Sequence, residues 1–501
     1  MQMNAKTNDK KHHFILQKIA HRAMLERGLF TEFSSEALAE LGRIQSPASI
    51  NSEQVHDLRG LLWASIDNDD SLDLDQLTVA EAMPGDRVKI LVAVADVDAL
   101  VNKESAIDKH ASHNTTSIYT AARIFPMLPE KLSTNLTSLN LNEERLAVVV
   151  EMVIGADGSL MDSDIYRARV INHAKLAYNS LAACLEGHGV LPESVAAVKG
   201  LEENLRLQDR AAQSMKNLRH VHGALSFETI EAKPVFDGGE IRELEVEKRN
   251  RAKDIIEDFM IGANGVTARY LASKKISSIR RVVRTPKRWE RIVELAREHG
   301  YNLPGVPDSI ALEKFLTKEK ADDPLRFPDL SLSVIKLMGT GEYVAEIPGN
   351  NAPGHFGLAV RDYTHSTAPN RRYTDLITQR LLKAAIEGSA VPYSPYTNDE
   401  LEVLAKNCTE KEDAANKVER QVRKSAAAML LEHRVGEQFE AIVTGAAEKG
   451  TWARLLTIPV EGRVVNGFEG IDVGDRIQVQ LKFVDVDRGY IDFRKVGQTK
   501  H

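Results

Sequence analysis

Between Ser65 and Leu77 the chain reads SIDNDDSLDLDQL, which sets Asp67, Asp69, Asp70, Asp73 and Asp75 close together and ends in Gln76. Carboxylates this near raise one another's pKa unless cations or a polar partner neutralise them. In extended chain Asp73 and Asp75 point to one face, with Leu72 and Leu74 on the other, buried side. The composition of residues 68–71 favours a turn, which returns Asp67 to the face of Asp73 and Asp75. Three such side chains make an oxygen-only nest suited to Mg2+ or Mn2+. An EF-hand calcium loop fits less well: D-x-D-x-S runs from Asp67 to Ser71, but the sharp-turn glycine would fall on Leu72 and the bidentate glutamate on Thr78. A solvated acidic loop is the ordinary meaning of a charge run, and the alternation with Leu72, Leu74 and Leu77 argues against it.

A cationic counterpart lies far along the chain. GHFGLAVRDYTHSTAPNRRYTDLITQR carries His355, His365, Arg371, Arg372 and Arg380 around Tyr363 and Tyr373. Arg371 and Arg372 precede a predicted helix, whose N-terminal dipoles attract anions, and arginine grips phosphate bidentately. Carboxylates for divalent cations together with an arginine pair for phosphate are the inventory for two-metal phosphodiester cleavage. Helix-terminal salt bridging is the plainer reading of the two arginines. The basic segment SKKISSIRRVVRTPKRWER either tracks a nucleic-acid backbone or is a solvated helix start. His110 and His113 in HASH have the wrong spacing for two ligands on one helical face, which argues against zinc.

These groups must be positioned by the elements around them. LRGLLWASID and RVKILVAVADVDALV read as buried strands, and ERLAVVVEMVIGADGSLMDSDIYRARVI as a hairpin around GADGS. Helical patterns follow in LEENLRLQDRAAQSMKNLR, NRAKDIIEDFMIGANGVTARYLA, KRWERIVELAREHG and RRYTDLITQRLLKAAI. The result is an α+β catalytic body, a mixed sheet surrounded by helices, over 51–392. Before it, residues 1–50 predict two short helices, either a helix-turn-helix-like unit or an extension packed on the main body. After it come a Pro-punctuated linker and a long charged helix over 393–434. Short strands separated by Gly and Asp turns over 435–497 predict a five-stranded OB-type barrel. In that barrel Phe439, Trp452 and Phe468 offer either stacking faces or core packing.

The 501 residues are 43% hydrophobic and 27% charged, enough to bury a sizeable core. No apolar run reaches membrane-spanning length, and the basic start MQMNAKTNDKKHHF lacks the apolar segment of a secretory signal. Cys184 and Cys408 have no metal-ligand spacing, so a reducing, cytoplasmic setting is expected. A net charge of −7 argues against wholesale nucleic-acid coating, while leaving room for a local basic channel.

SIDNDDSLDLDQL, VAVADV, TSIYTAARIFPMLPEKLSTNLTSLN, RLAVVVEMVI, HAKLAYNSL, HGALSF, IIEDFMIGAN, GHFGLAV and YTHSTAPNRRYTDLITQRLL resemble, in order, successive blocks of the ribonuclease II / ribonuclease R (RNB) exoribonuclease family. The likeness covers residues 58–386, and the terminal barrel resembles the S1-type domain that follows RNB in that family. The resemblance implies an RNB catalytic domain that removes nucleotides one at a time, processively, from the 3′ end of single-stranded RNA. Mg2+ or Mn2+ would be the cofactor and nucleoside 5′-monophosphates the products. It implies Asp67, Asp73, Asp75 and the position of Gln76 as the metal site, with Asp75, Asp73 and Arg371 catalytic. Tyr119 matches the aromatic that stacks on terminal bases, Tyr178 a second cavity tyrosine, and Phe227 the opposing base clamp. Arg371 and Arg372 match the phosphate-gripping block, and Glu419 a glutamate near the site. A monomer acting on RNA away from any membrane is expected.

Two departures stand out. The family shows D-x-D-D where this chain has Gln76; an amide oxygen can coordinate a metal but brings no charge and takes up no proton as a carboxylate does. Metal affinity should fall unless Asp70 or Asp96 compensates, and catalysis is expected to survive because Asp67, Asp73, Asp75 and Arg371 are all present. The family's two N-terminal cold-shock barrels have no counterpart in the short helical unit, so tolerance of duplex RNA stays open. The main rival is a non-catalytic RNA-binding protein with a degenerate site; a DNA-directed nuclease or regulator using the N-terminal helices is a third reading. Contact with the 2′-OH separates RNA from DNA.

Overall fold

The computed structural model describes residues 11–500 apart from 51–53, 231, 238, 247, 351–352, 389–393 and 448–449. The expected boundaries near 51 and 392 therefore lie outside the described residues. Its first strands are β1 (Val55–Asp57), β2 (Ala64–Asp67), β3 (Gln76–Met83), β4 (Arg87–Ala95) and the short pair β5 (Ile118–Tyr119) and β6 (Ile124–Phe125). The foreseen hairpin is β7 (Glu144–Ile154) and β8 (Leu160–Ile171), followed by β9 (Ala174–Ala177). Except for β5 and β6, these strands form a seven-stranded mixed sheet in the order β1-β8-β7-β4-β3-β2-β9. The edge strands β1 and β9 run parallel to their neighbours, and the central pairs are antiparallel.

Burial explains the apolar run in β4, where Ile90 through Ala95 are at most 2% exposed. Helices Leu201–Val221 and Arg251–Ser273 pack on each other and on the sheet. The Thr78 hydroxyl donates to Gln208 Oε1 at 2.7 Å, tying β3 to the first of these helices. A hairpin, β10 (Ala232–Asp237) and β11 (Glu240–Val246), precedes the second helix. Beyond it, β12 (Ser278–Val282) pairs with β13 (Glu342–Glu346). Between them helices Trp289–Glu298, Ser309–Asp322 and Phe327–Met338 build a separate apolar cluster around Trp289, Phe315 and Phe327. The sequence patterns did not reveal the last two of these helices, nor β9 or the β10–β11 hairpin.

The long helix Asn398–Leu431 starts at a reciprocal cap between Thr397 and Glu400 and contacts both ends of the chain. Its Val418 and Val422 share a cluster with Leu16, Ile19 and Ala23 of helix Lys11–Glu26. Its Ala428 and Leu431 enter the core of a closed barrel formed by β14 (Gln438–Ala447), β15 (Gly450–Leu455), β16 (Glu461–Asn466), β17 (Arg476–Asp485) and β18 (Tyr490–Lys500). The β17–β18 turn approaches the helix so closely that a Cβ on Gly489, at φ +68°, would lie 2.7 Å from Lys424 Cβ. Arg454 of β15 fastens the barrel to helix Phe327–Met338 through a 2.8 Å ion pair with Asp329.

The two N-terminal helices do not form a helix-turn-helix unit. Helix Ser35–Arg43 lies on helix Ala106–Asn114, where Glu40 accepts from the Ile107 amide at 3.1 Å, while helix Lys11–Glu26 packs on the long helix. The other reading, an extension packed on the main body, describes them. Three arginines of the basic segment are paired: Arg280 with Glu346, Arg281 with Glu412, and Arg284 with Glu342. In the barrel Phe439 is buried, and Phe468 is 42% exposed. No helix among the described residues is long and apolar enough to cross a membrane.

Candidate active site

Strand ends and one helix start converge here. Asp67 closes β2 and pairs with Ala177, which closes β9, so Tyr178 begins the next helix beside it. The chain turns where the Ser71 amide meets the Asn68 carbonyl at 3.2 Å, then runs without regular secondary structure to β3. The Asp75 carbonyl accepts from the Ala95 amide at 2.9 Å, extending the β3–β4 ladder one residue beyond Gln76 opposite Val94. β2 pairs with β3 where Ala64 meets Thr78, and Asp67 at the end of β2 lies near enough to Arg371 for its charge to act on it.

Asp75 is 1% exposed and doubly bound: Oδ1 accepts from the Asn370 amide and Oδ2 from Arg371 Nε, each at 3.0 Å. Burial pushes its carboxyl up to about 7; the Arg371 charge opposes this and the neighbouring Asp73 adds to it. The surrounding protein disfavours the Arg371 charge, but Asp75, Tyr119, Asp67 and Asp73 together raise its pKa above the ordinary arginine value. Tyr119 donates its hydroxyl to Asp73 Oδ2 at 2.6 Å, and burial, then the Asp73 charge, keeps the phenol protonated. Its ring is placed by the short β5–β6 hairpin and by its own amide, which donates to Glu419 Oε1 of the long helix at 2.9 Å.

The cationic stretch divides. Arg371 faces the carboxylates, whereas Arg372 turns to Asp375 in the first turn of helix Tyr373–Glu387 and forms a two-pronged pair at 2.9 and 2.7 Å. Arg380 is held by Asp98, Tyr396 and the Val101 carbonyl. Burial lowers His355 to about 4 and His365 well below the usual imidazole value, so neither is a cation at neutral pH. Phe227 packs on the Trp289 cluster and lines a cavity of ≈ 540 Å³. An adjoining cavity of ≈ 420 Å³ begins at Asn68 and Asn179 and shares Val246, Lys248 and Lys253 with the first. A groove carrying Lys233, Lys248 and Lys253 thus leads from the carboxylate loop towards Phe227.

The structure departs from the expected three-carboxylate nest. Among the described residues no three His, Cys, Asp or Glu side chains gather as a ready-made metal group. Asp75 is committed to Asn370 and Arg371, which leaves Asp67 and the Asp73 oxygen not bound by Tyr119. Two oxygen-only carboxylates fit the way Mg2+ is commonly held, by one or two carboxylates with substrate phosphates and waters. Gln76 follows Asp75 in the ladder, so its side chain lies on the opposite face, that of Thr78, and is 6% exposed. Asp96 cannot stand in for a missing ligand while it is bound to Arg167 at 2.8 Å and Lys383 at 3.0 Å. Leu72, expected to be buried, is 62% exposed. Sequence reasoning missed Asn370, which acts through its backbone amide, and the groove lysines, of which Lys233 stands alone while Lys248 and Lys253 belong to the basic run KRNRAK that was the available signal.

A model described as the RNB domain matches residues 55–388, more than half of the chain. The chain belongs to the RNB family. The RNase II-type exonuclease C-terminal S1 domain matches residues 437–496, which contain most of the closed barrel. Ribonuclease R of Vibrio cholerae is 31% identical over 481 residues, covering 89% of this chain; the chain spans only 57% of that relative's length. Among solved structures, the apo form of Mycoplasma genitalium RNase R superposes on this RNB chain with a TM-score of 0.85 at 22% identity, covering 96% of this chain and 78% of its own. That RNase R has also been solved with ribose-methylated single-stranded RNA and with double-stranded RNA. Yeast Ssd1, a pseudonuclease, shares the fold with a TM-score of 0.72 at 16% identity, covering 93% of this chain and 58% of its own.

Proposed function

We propose that the chain is an exoribonuclease that depends on Mg2+ or Mn2+. In this reading it removes nucleotides processively from the 3′ end of single-stranded RNA and releases nucleoside 5′-monophosphates. The observation that carries the reading is the buried Asp75 held between the Asn370 amide and Arg371. Membership of the RNB family and the S1-type match support the RNA substrate. Asp67 and Asp73 would hold the cation, which when bound supplies charge neutralisation and a water of lowered pKa.

This chain's own groups do the rest. Arg371 engages Asp75 through Nε, leaving its outer nitrogens to a phosphate, where they stabilise the charge that develops in the transition state. A carboxylate has about four lone-pair sites, so Asp75 can accept a further proton while bound at both oxygens. A proton affinity near neutral suits it to take that proton from the attacking water. Tyr119, 40% exposed, offers a ring face for a terminal base, with its hydroxyl anchored on Asp73. Lys233, Lys248 and Lys253 line the groove that would follow the RNA backbone. The free cysteines Cys184 and Cys408 support a reducing, cytoplasmic setting, with the chain acting as a monomer.

The test is 5′-labelled single-stranded RNA incubated with the protein and Mg2+, repeated with EDTA and with Gln76→Asp. A short limit product that forms from full-length RNA and disappears with EDTA is expected. RNA left intact by both proteins yet shifted on a native gel would establish the RNA-binding rival and end the nuclease reading.

A further inference from the structure

Asp73 sits in a run that no strand holds. Between Asp67 at the end of β2 and Gln76 at the start of β3, only the Asp75 carbonyl joins the neighbouring ladder. The segment is fixed from elsewhere, by residues that follow the turn Lys131–Leu136. Ser138, fully buried, accepts from the Leu74 amide at 3.0 Å, and its one hydroxyl proton lies between the Leu72 carbonyl at 2.8 Å and Asn140 Oδ1 at 2.9 Å. The next amide, Leu139, donates to the Leu74 carbonyl at 3.0 Å. The peptides on both sides of Asp73 are thus gripped by one hydroxyl and the backbone beside it.

Thr137 acts on the other half of the site. Its hydroxyl lies 2.5 Å from the side chain of Asn370 and 2.8 Å from the Leu132 carbonyl. Asn370 is fully buried and its Nδ2 lacks a partner, so the Thr137 hydroxyl is the only hydrogen-bond partner of that side chain among the described residues. The same Asn370 supplies the backbone amide that holds Asp75 Oδ1, and it directly precedes Arg371. One dipeptide therefore sets Asp73 with one hydroxyl and the Asn370–Arg371 corner with the next.

We propose that Thr137 and Ser138 are positioning residues for phosphodiester cleavage: neither touches RNA, and together they fix the separation and direction of Asp73, Asp75 and Arg371. The proposal rests on the nuclease reading above. Removing one partner of a buried hydrogen bond leaves the other unsatisfied, and small displacements of reacting groups lower the chemical step while sparing substrate binding.

The test is steady-state cleavage of single-stranded RNA in Mg2+ by the full chain, with a urea midpoint for each variant. Thr137→Val keeps the shape and loses the hydroxyl, Thr137→Ser keeps the hydroxyl, and Ser138→Ala frees the Asp73 segment. We expect kcat to fall by about 10- to 100-fold in Thr137→Val and Ser138→Ala with KM within about threefold, and Thr137→Ser to retain most of its rate. Unchanged kcat in Thr137→Val, or a loss in Thr137→Ser as large as in Thr137→Val, overturns the proposal even if Ser138→Ala does not fold. Cleavage absent in the wild type overturns the nuclease reading, and this proposal with it.

Discussion

Asp75→Asn should separate stability from activity. The carboxyl is 1% exposed, and burial raises it from 3.8 to about 7 despite the Arg371 charge and the Asn370 amide. At 1.36 kcal/mol for each tenfold change in proton affinity, a buried carboxylate of this kind costs the folded state on the order of 4 kcal/mol once ionised. The sign follows from the direction. Below pH 3.8 both folded and unfolded carboxyls are protonated and the penalty is absent. Between 3.8 and about 7 the unfolded chain ionises first, so stability drains from the folded protein as pH rises, and above about 7 the loss is complete. The amide of Asn carries no charge and escapes this penalty, while losing one hydrogen bond to Arg371, worth about 1.5–3 kcal/mol. Urea titrations in EDTA should therefore find Asp75→Asn less stable than wild type at pH 4 and equal or more stable at pH 8. RNA turnover in Mg2+ should fall by about 1000-fold or more, because the base is gone and Arg371 loses its anchor. A variant that is less stable by the same amount at both pH values would refute the reasoning about the buried charge.

Arg371→Lys should lower kcat by about 100-fold with little change in KM, measured by nucleotide release, because an ammonium cannot bridge Asp75 and a phosphate with separate nitrogens. Tyr119→Phe keeps the stacking ring and should reduce kcat by about tenfold with unchanged RNA affinity, whereas Tyr119→Ala should weaken RNA binding by about 1–3 kcal/mol in a filter or anisotropy titration. Arg372→Met strands the buried Asp375 carboxylate at the start of helix Tyr373–Glu387 and should cost about 3–5 kcal/mol of stability by urea denaturation. RNA affinity should fall steeply with salt, with a slope lowered in a Lys233→Ala, Lys248→Ala, Lys253→Ala triple variant.

The central strands were legible because burial on both faces leaves continuous apolar runs, as in Ile90–Ala95, and the β7–β8 hairpin announced its turn in GADGS. The barrel showed as short strands between turns. Helix Ser309–Asp322 was hidden because its apolar residues are interleaved with Lys and Glu, and Phe327–Met338 because two prolines precede or enter it. At the site, spacing brought Asp67, Asp73 and Asp75 together, but only the fold decides which way each carboxylate turns. Asp75 answers to Asn370 and Arg371, which lie almost 300 residues later, and the exposed residues of the run include Asp69, Asp70 and Leu72. Adjacent arginines look alike in sequence. The Asp375 three residues after Arg372 was the available signal, since side chains at that spacing meet on a helix. The N-terminal helices were readable as helices, and their partners were not, because an amphipathic face does not name what covers it.

The measurement that bears most directly on the central claim is the chemical identity of the first product released from single-stranded RNA. The protein would be mixed with a defined oligoribonucleotide in Mg2+ and the small products identified by mass spectrometry as a function of time. The account predicts that the 3′-terminal residue appears first, as a nucleoside 5′-monophosphate, followed by its neighbours in order, and that Asp75→Asn yields none. Release of internal oligonucleotides, or of nucleoside 3′-monophosphates, would contradict it.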